Sequence, residues 1–176
     1  MKVPLLSPLL VAGLAALVSG GLLAGAHLFE RVGGYPPCLL CLDQREVHWV
    51  ALCIAGTTVA AFVLGPRPAR GPLMIALAGV YLWSTLLAGF HAGVEWDYWD
   101  GPAACGAGGR VLVEVDPDAL LSSLATAGPE GPPCEVAAWR LAGLSMAGYN
   151  ALISAALLGL TLLSVGRLAA PRRKDL

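Results

Sequence analysis

Residues 3–29 read VPLLSPLLVAGLAALVSGGLLAGAHLF, a run of 27 residues without Asp, Glu, Lys or Arg. An α-helix of roughly 20 residues, at about 1.5 Å rise per residue, spans the ~30 Å hydrocarbon layer of a bilayer. The run is therefore long enough to cross one. Three further charge-free stretches follow at residues 47–66, 71–94 and 141–166, of 20, 24 and 26 residues. Of the 176 residues 57% are hydrophobic and only 13% charged, whereas about a quarter of a soluble domain is charged. The pattern predicts an all-α fold: a single integral membrane four-helix bundle over residues 1–176. The spans are expected at about 6–28, 47–65, 72–92 and 143–166, with loops at about 29–46 and 93–142. A two-domain soluble enzyme is excluded. The formal net charge of -1, with no basic patch before the last few residues, removes the usual warrant for nucleic-acid binding.

Orientation follows from the basic residues. Lys2, Arg67, Arg70, Arg167, Arg172, Arg173 and Lys174, seven of the eleven, lie at the termini and in the 65–72 connection. Arg31, Arg45, Arg110 and Arg140 fall in the two remaining segments, with eleven of the twelve acidic residues. The positive-inside rule then predicts cytoplasmic termini and two loops on the opposite face. Ala24-Gly25-Ala26 resembles a signal cleavage site, but a signal peptide's apolar core is only about 7–15 residues. The first span is expected to stay in place.

Small residues recur at helical spacing at Ala12, Ala16, Gly20 and Ala24, and at Gly143, Ala147, Ala151, Ala155 and Gly159. Such stripes let helices approach closely where lipid supplies no hydrophobic drive. In the second loop, Asp116 as cap and Pro117 at the first helical position predict a short helix reaching Ala125. Its Leu120, Leu121 and Leu124 share one face, which suits either the membrane surface or the bundle mouth.

Four of the five cysteines lie in the outer loops: Cys38 and Cys41 in Pro36-Pro37-Cys38-Leu39-Leu40-Cys41, and Cys105 and Cys134 in the second. A bacterial periplasm favours disulfides. Bridging Cys105 to Cys134 would enclose 28 residues, and as a plain staple such a loop contributes roughly 3–4 kcal/mol. A Cys-x-x-Cys ring gains little as a staple; its spacing suits thiol–disulfide cycling or half of a metal site. Cys41 stands where the second span begins, and helix N-terminal amides and a nearby cation favour a thiolate. Cys41, Arg45 and His48 are spaced i, i+4, i+7 and share a helical face at the membrane surface. There a lipid-soluble acceptor with carbonyl groups, such as a quinone, could meet a thiolate, a guanidinium and an imidazole. Arg45 alone would read as an interfacial anchor. Cys53, within the second span, reads as a small buried apolar residue.

These residues resemble the bacterial disulfide bond formation protein B (DsbB) family of quinone-linked thiol oxidases. The resemblance covers the whole chain. It rests on four spans, Pro-Cys-x-x-Cys after the first with Arg four residues on, a second cysteine pair between spans three and four, and the run from Cys134-Glu135-Val136-Ala137-Ala138-Trp139 to Met146. It implies a bacterial inner-membrane enzyme with its cysteine pairs facing the periplasm, which DsbA, DsbB and quinone keep oxidising. The Cys105–Cys134 disulfide would accept electrons from a DsbA-like thioredoxin-fold partner, with Cys105 forming the mixed disulfide. Cys38–Cys41 would reoxidise that pair, and Cys41 would pass the electrons to ubiquinone or menaquinone beside Arg45. His91 matches a family position near the quinone, and His48 shares the Cys41 face. Asp43 stands where familiar members are often aromatic, and Gln44 where some carry Glu.

Other readings predict different behaviour. A zinc site of four cysteines is disfavoured because Cys105 and Cys134 are far apart and oxidation competes with metal; no metal is expected. A structural four-span protein with passive disulfides would not exchange thiols during turnover. In the vitamin K epoxide reductase-like group the quinone-proximal Cys-x-x-Cys lies near the last span, not after the first. Covalent haem is disfavoured because Leu42, not His, follows Cys41. The topology is open to direct test. A membrane-impermeant thiol reagent on intact, reduced spheroplasts should label Cys38, Cys41, Cys105 and Cys134 as access permits, and not Cys53. Labelling of the four only from the cytoplasmic side would reverse the arrangement.

Overall fold

The computed structural model describes residues 7–102, 105 and 132–169. Four long helices carry it: α1 (Pro8–Arg31), α2 (Leu39–Val63), α3 (Arg70–Glu95) and α4 (Met146–Ala169). Each is long and apolar enough to cross a membrane. Their starts follow from local chemistry. Ser7 caps α1, its hydroxyl accepting from Leu10 N at 3.3 Å, with Pro8 at the first helical position. A short 3₁₀ turn, Arg67–Ala69, leads into α3. Helices α2 and α3 reach past the charge-free stretches into Asp43, Arg45, Glu46 and Glu95, because chain at the interface keeps its helical hydrogen bonds while charges find water or a partner.

Helix α3 packs most closely on α4 and α1 on α2; α2 packs on α3, and α1 touches α4 only lightly. The result is a four-helix membrane bundle. Outward faces carry Leu17, Leu64, Ile75, Trp83 and Leu163, all exposed, as helices bathed in lipid require. Cys53 belongs to this outer surface. The expectation that it is buried is corrected, since lipid supplies the apolar surroundings from outside.

At mid-bundle Ala15, Ala51, Ala55, Leu77, Tyr81 and Leu157 form one cluster. The expected small-residue stripes are only partly the packed faces. Helix α1 buries Ala12, Ala15, Ser19 and Leu23, and α4 buries Ala147, Asn150, Ser154, Leu157, Thr161 and Ser164, while Ala24, Ala155 and Gly159 are exposed. The helices are rotated toward the faces holding hydrogen-bonding side chains. A hydroxyl turned into lipid would lose its partners, whereas an alanine loses nothing.

A two-stranded hairpin precedes α4: β1 (Arg140–Leu141) pairs antiparallel with β2 (Leu144–Ser145). Its turn residues Ala142 and Gly143 both have positive φ, 50° and 82°, the backbone a two-residue hairpin turn demands. The expected helix from Asp116 lies outside the described residues. After α3, Trp99 folds back; its Nε1 donates to Phe90 O at 2.9 Å and its ring stacks on Phe90 with centroids 5.9 Å apart. A Cβ on Gly93 would lie 2.1 Å from Trp99 Cζ2. Gly93→Ala must expel that ring, and the variant should lose about 1–3 kcal/mol of stability, read as a lower thermal midpoint in detergent. An unchanged midpoint would show that the ring is free to leave.

Candidate functional site

Pro36 and Pro37 hold the chain extended, and α2 begins immediately after them with Cys38 as its N-cap (φ -76°, ψ 172°). The Cys38 Sγ accepts from Cys41 N at 3.2 Å, so the cap is itself one of the Cys-x-x-Cys pair. Cys38 is buried and Cys41 partly so, and both are thiols. The side-chain contact with Cys41, and burial, push the Cys38 thiol well above its ordinary value. Cys38 therefore keeps its proton.

Cys105 and Cys134 are joined as a disulfide, with Cα atoms 5.5 Å apart. Cys134 N also donates to Cys105 O at 3.3 Å. The bridge packs in one cluster with Cys38, Leu40 and Val94, with Cys41 and Leu87 against it. Sequence separation thus concealed adjacency. Any exchange between the pairs would need a sulfur to reach a neighbour within a cluster, not across a gap.

Arg45 reaches back to α1. Its Nη1 donates to Glu30 Oε2 and its Nη2 to the Ala26 carbonyl at 3.1 Å. The side chain is only 14% exposed, so it is not a head snorkelling freely to water. His91, fully buried on α3, presents Nε2 3.6 Å from Cys38 Sγ and 3.8 Å from Glu95 Oε1. Glu95 is buried too. Ser145 of the hairpin donates to its Oε2, and Arg140 Nη2 donates to its backbone oxygen at 2.6 Å.

A ladder of buried side chains runs inward from the other edge of His91. Gln44 Nε2 lies 2.7 Å from His91 Nδ1, and Asn150 Nδ2 donates to Gln44 Oε1 at 2.6 Å. Asn150 Oδ1 meets His48 Nε2 at 2.8 Å, and His48 Nδ1 meets Ser19 Oγ at 3.4 Å. Ser19 then meets the Tyr81 hydroxyl at 2.9 Å, which donates to Ala15 O at 3.2 Å.

A cavity of about 500 Å³ lies along this arrangement. Cys38, Cys41, Gln44, Arg45, His48 and His91 reach its wall, and Phe29, Tyr35, Trp139 and Tyr149 give it aromatic sides. Trp139 stacks on Phe29 with centroids 5.7 Å apart. Its Nε1 is one of two buried side-chain polar atoms among the described residues with no hydrogen-bond partner. Donor atoms of Cys38, Cys41 and His91 lie within 4.8 Å of one another, a spacing a soft cation could also use, though closing the Cys38–Cys41 disulfide would remove two of the three donors.

The sequence residues Cys38, Cys41, Arg45, His48 and His91 thus meet at one cavity, and Cys105 and Cys134 adjoin it through Cys38. Sequence reasoning missed Glu30, Glu95, Ser145, Trp139 and Asn150. Asn150 had a usable signal, being the one side-chain amide in the 141–166 stretch. A strongly polar group inside a span is expensive and points to function or to a partner.

Residues 9–164 match the family described as Disulfide bond formation protein DsbB. The chain is 33% identical over 168 residues to Disulfide bond formation protein B of Marinobacter nauticus, covering 92% of this chain and 94% of that one. It is 28% identical over 167 residues to the protein of the same name from a Polaromonas species, covering 94% and 95%. No solved structure matches the chain significantly. Four membrane-crossing helices, two cysteine pairs in contact and a match over nearly the whole length agree: this chain belongs to the disulfide bond formation protein DsbB family and is a membrane disulfide oxidoreductase.

Proposed function

We propose that the protein reoxidises a periplasmic thioredoxin-fold disulfide donor of the DsbA type and delivers the electrons to a membrane quinone, ubiquinone or menaquinone. One observation carries this reading: the Cys41 thiol, the Arg45 guanidinium and an unpartnered Trp139 N–H share one largely apolar, aromatic-sided cavity next to the second cysteine pair. An orphaned buried donor is expensive unless something accepts from it. A flat, apolar molecule bearing carbonyl oxygens suits both the lining and that donor, so the residues present fit a quinone. Helices α1 and α4, the most lightly packed neighbours, form part of the cavity wall, which favours entry from the bilayer.

Bound there, a quinone supplies a two-electron, two-proton acceptor. Phe29, Trp139 and Tyr149 would flank it, with Arg45 and Trp139 Nε1 as donors toward its oxygens. In the chain itself, Cys105 takes the partner's thiolate and forms the mixed disulfide. The partner's second thiol releases it, leaving Cys105 and Cys134 reduced. Cys38–Cys41 reoxidises that pair by exchange within the cluster, and the resulting dithiol loses two electrons and two protons as its disulfide re-forms.

Cys134→Ala should trap the partner on Cys105, visible as a mixed disulfide on non-reducing gels, and Cys41→Ala should abolish quinone reduction by the protein's own thiols. Intact partner turnover in Cys134→Ala would break the relay and favour passive bridges.

Arg45 is tested separately. A guanidinium holds fixed donors toward an oxygen gaining charge, which a neutral amide does not. Loss of one such donor at a partly wet interfacial site should cost about 1–2 kcal/mol. Arg45→Gln should therefore slow quinone absorbance loss in turnover and leave mixed-disulfide formation without quinone nearly unchanged, with Arg45→Lys between. The reverse pattern would make Arg45 an anchor.

A further inference from the structure

The amides of Gln44 and Asn150 each present either oxygen or nitrogen to a neighbour after a half turn of the terminal torsion, so the ladder from His91 to Ala15 has two senses. In the first, Asn150 Nδ2 donates to Gln44 Oε1 and Gln44 Nε2 donates to His91 Nδ1. His48 must then donate from Nε2 to Asn150, and its Nδ1 needs the Ser19 proton. Ser19 consequently needs the Tyr81 proton, and the contact of Tyr81 with Ala15 O is left with none.

The second sense uses every proton. The Ala15 carbonyl can only accept, so Tyr81 donates to it. Ser19 donates to Tyr81, His48 Nδ1–H to Ser19, and Asn150 N–H to His48 Nε2, all at the same separations. The second N–H of Asn150 faces Ser154 Oγ at 3.3 Å, and Ser154 can donate to Ser84 at 2.9 Å. Gln44 then donates to Asn150 and turns its oxygen to His91.

We propose that the second sense is the working one: Gln44, oriented by Asn150, accepts the His91 Nδ1 proton, so that His91 Nε2 is the base that takes the Cys38 proton as the Cys38–Cys41 disulfide closes. This rests on the reading of that pair as the quinone-reducing dithiol. As the S–S bond forms, the Cys38 S–H bond breaks and its proton moves to Nε2, 3.6 Å away. The two electrons would leave through Cys41 to a bound quinone, an acceptor of two protons as well: the one handed on from Nε2 and the one Cys41 gave up on becoming a thiolate.

Nε2 lies between the proton's source and a carboxylate that can face the imidazolium. Cys38 holds its proton tightly and needs an acceptor. Once Nε2 is protonated, Glu95 Oε1 faces the imidazolium at 3.8 Å, its other oxygen being occupied by Ser145. The first sense forbids that state, because an imidazolium Nδ1–H would point at the Gln44 N–H₂. The other charged neighbours are Arg140, committed to the Glu95 backbone oxygen, and Arg45, committed to Glu30. Gln44 and Asn150 are positioning residues; His91 touches a reacting atom.

The test has a readout independent of turnover. With ¹⁵N-histidine labelling of the full chain, and the three histidines assigned by substitution, NMR of the reduced protein should show His91 with Nδ1 protonated. Gln44→Leu should shift His91 toward the Nε2–H tautomer and slow single-turnover oxidation of Cys38–Cys41 by a soluble quinone by about tenfold or more. Gln44→Glu, whose carboxylate only accepts, should restore both the Nδ1–H signature and most of the rate. Exchange between a reduced thioredoxin-fold partner and Cys105–Cys134 serves as the folding control. A wild-type His91 with bare Nδ1, or Gln44→Glu as slow as Gln44→Leu, would overturn the inference. A wild-type protein that reduces no quinone would instead sink the proposed function, with the NMR result still deciding the ladder's sense.

Discussion

Lipid offers no hydrogen bonds, and in this bundle that constraint sets how each helix is turned. Ser19, Gln44, His48, Tyr81, His91 and Asn150 are all buried within spans, where an unpaired amide or hydroxyl costs about 1–3 kcal/mol by mutational measures. They are satisfied by one another and by a few neighbours on the same helices or at the ladder's ends, among them Ser154 and the Ala15 carbonyl. Helix α1 gives Ser19 and the Ala15 carbonyl, α2 gives Gln44 and His48, α3 gives Tyr81 and His91, and α4 gives Asn150. A ladder that draws on every helix fixes their mutual rotation in a way that interchangeable small apolar residues could not.

The same economy shapes the outer end. Glu95, on the last turn of α3, would be a costly buried carboxylate on its own, and the hairpin before α4 supplies what it lacks. The positive-φ turn at Ala142 and Gly143 is what lets a six-residue segment return Ser145 to the carboxylate while Arg140 holds the backbone oxygen of the same residue. Ser145 Oγ also accepts from Gly148 N at 3.1 Å, capping α4. One interaction therefore anchors the start of α4, and with it Asn150, to the residue facing His91.

The spans were legible because 20 or more residues without charge have few alternatives in water. The site was legible where chemistry is concentrated in sequence: Cys41, Arg45 and His48 lie on one turn-by-turn face, with Cys38 just before the helix. What stayed hidden depends on relations between helices. Periodicity could not say whether α4 buries Ala155 and Gly159 or Asn150 and Ser154, since both sets repeat at helical spacing. The partnership of Glu30 with Arg45 bridges a connection whose geometry the sequence does not specify. The burial of Glu95 depends on the hairpin that covers it. The contact between Cys38 and the Cys105–Cys134 bridge needed the fold of both outer segments.

Pairing with Glu30 also explains why a permanent cation can stand beside an apolar cavity. An isolated guanidinium would be strongly disfavoured there, whereas the ion pair is neutral overall and shares its field. Arg45 has five N–H donors, and Glu30 and Ala26 occupy those of Nη1 and Nη2 only in part. On the proposed reading, a neutral quinone approaches a neutral pair, so ground-state binding gains little from charge. The remaining guanidinium donors and Trp139 Nε1 would already be in place for negative charge developing on such a molecule's oxygens. Stabilisation would then rise along the reaction and not before it, which is the differential binding that accelerates a step. On that reading Glu30 would permit the cation at the interface while leaving little net charge to act before electrons arrive.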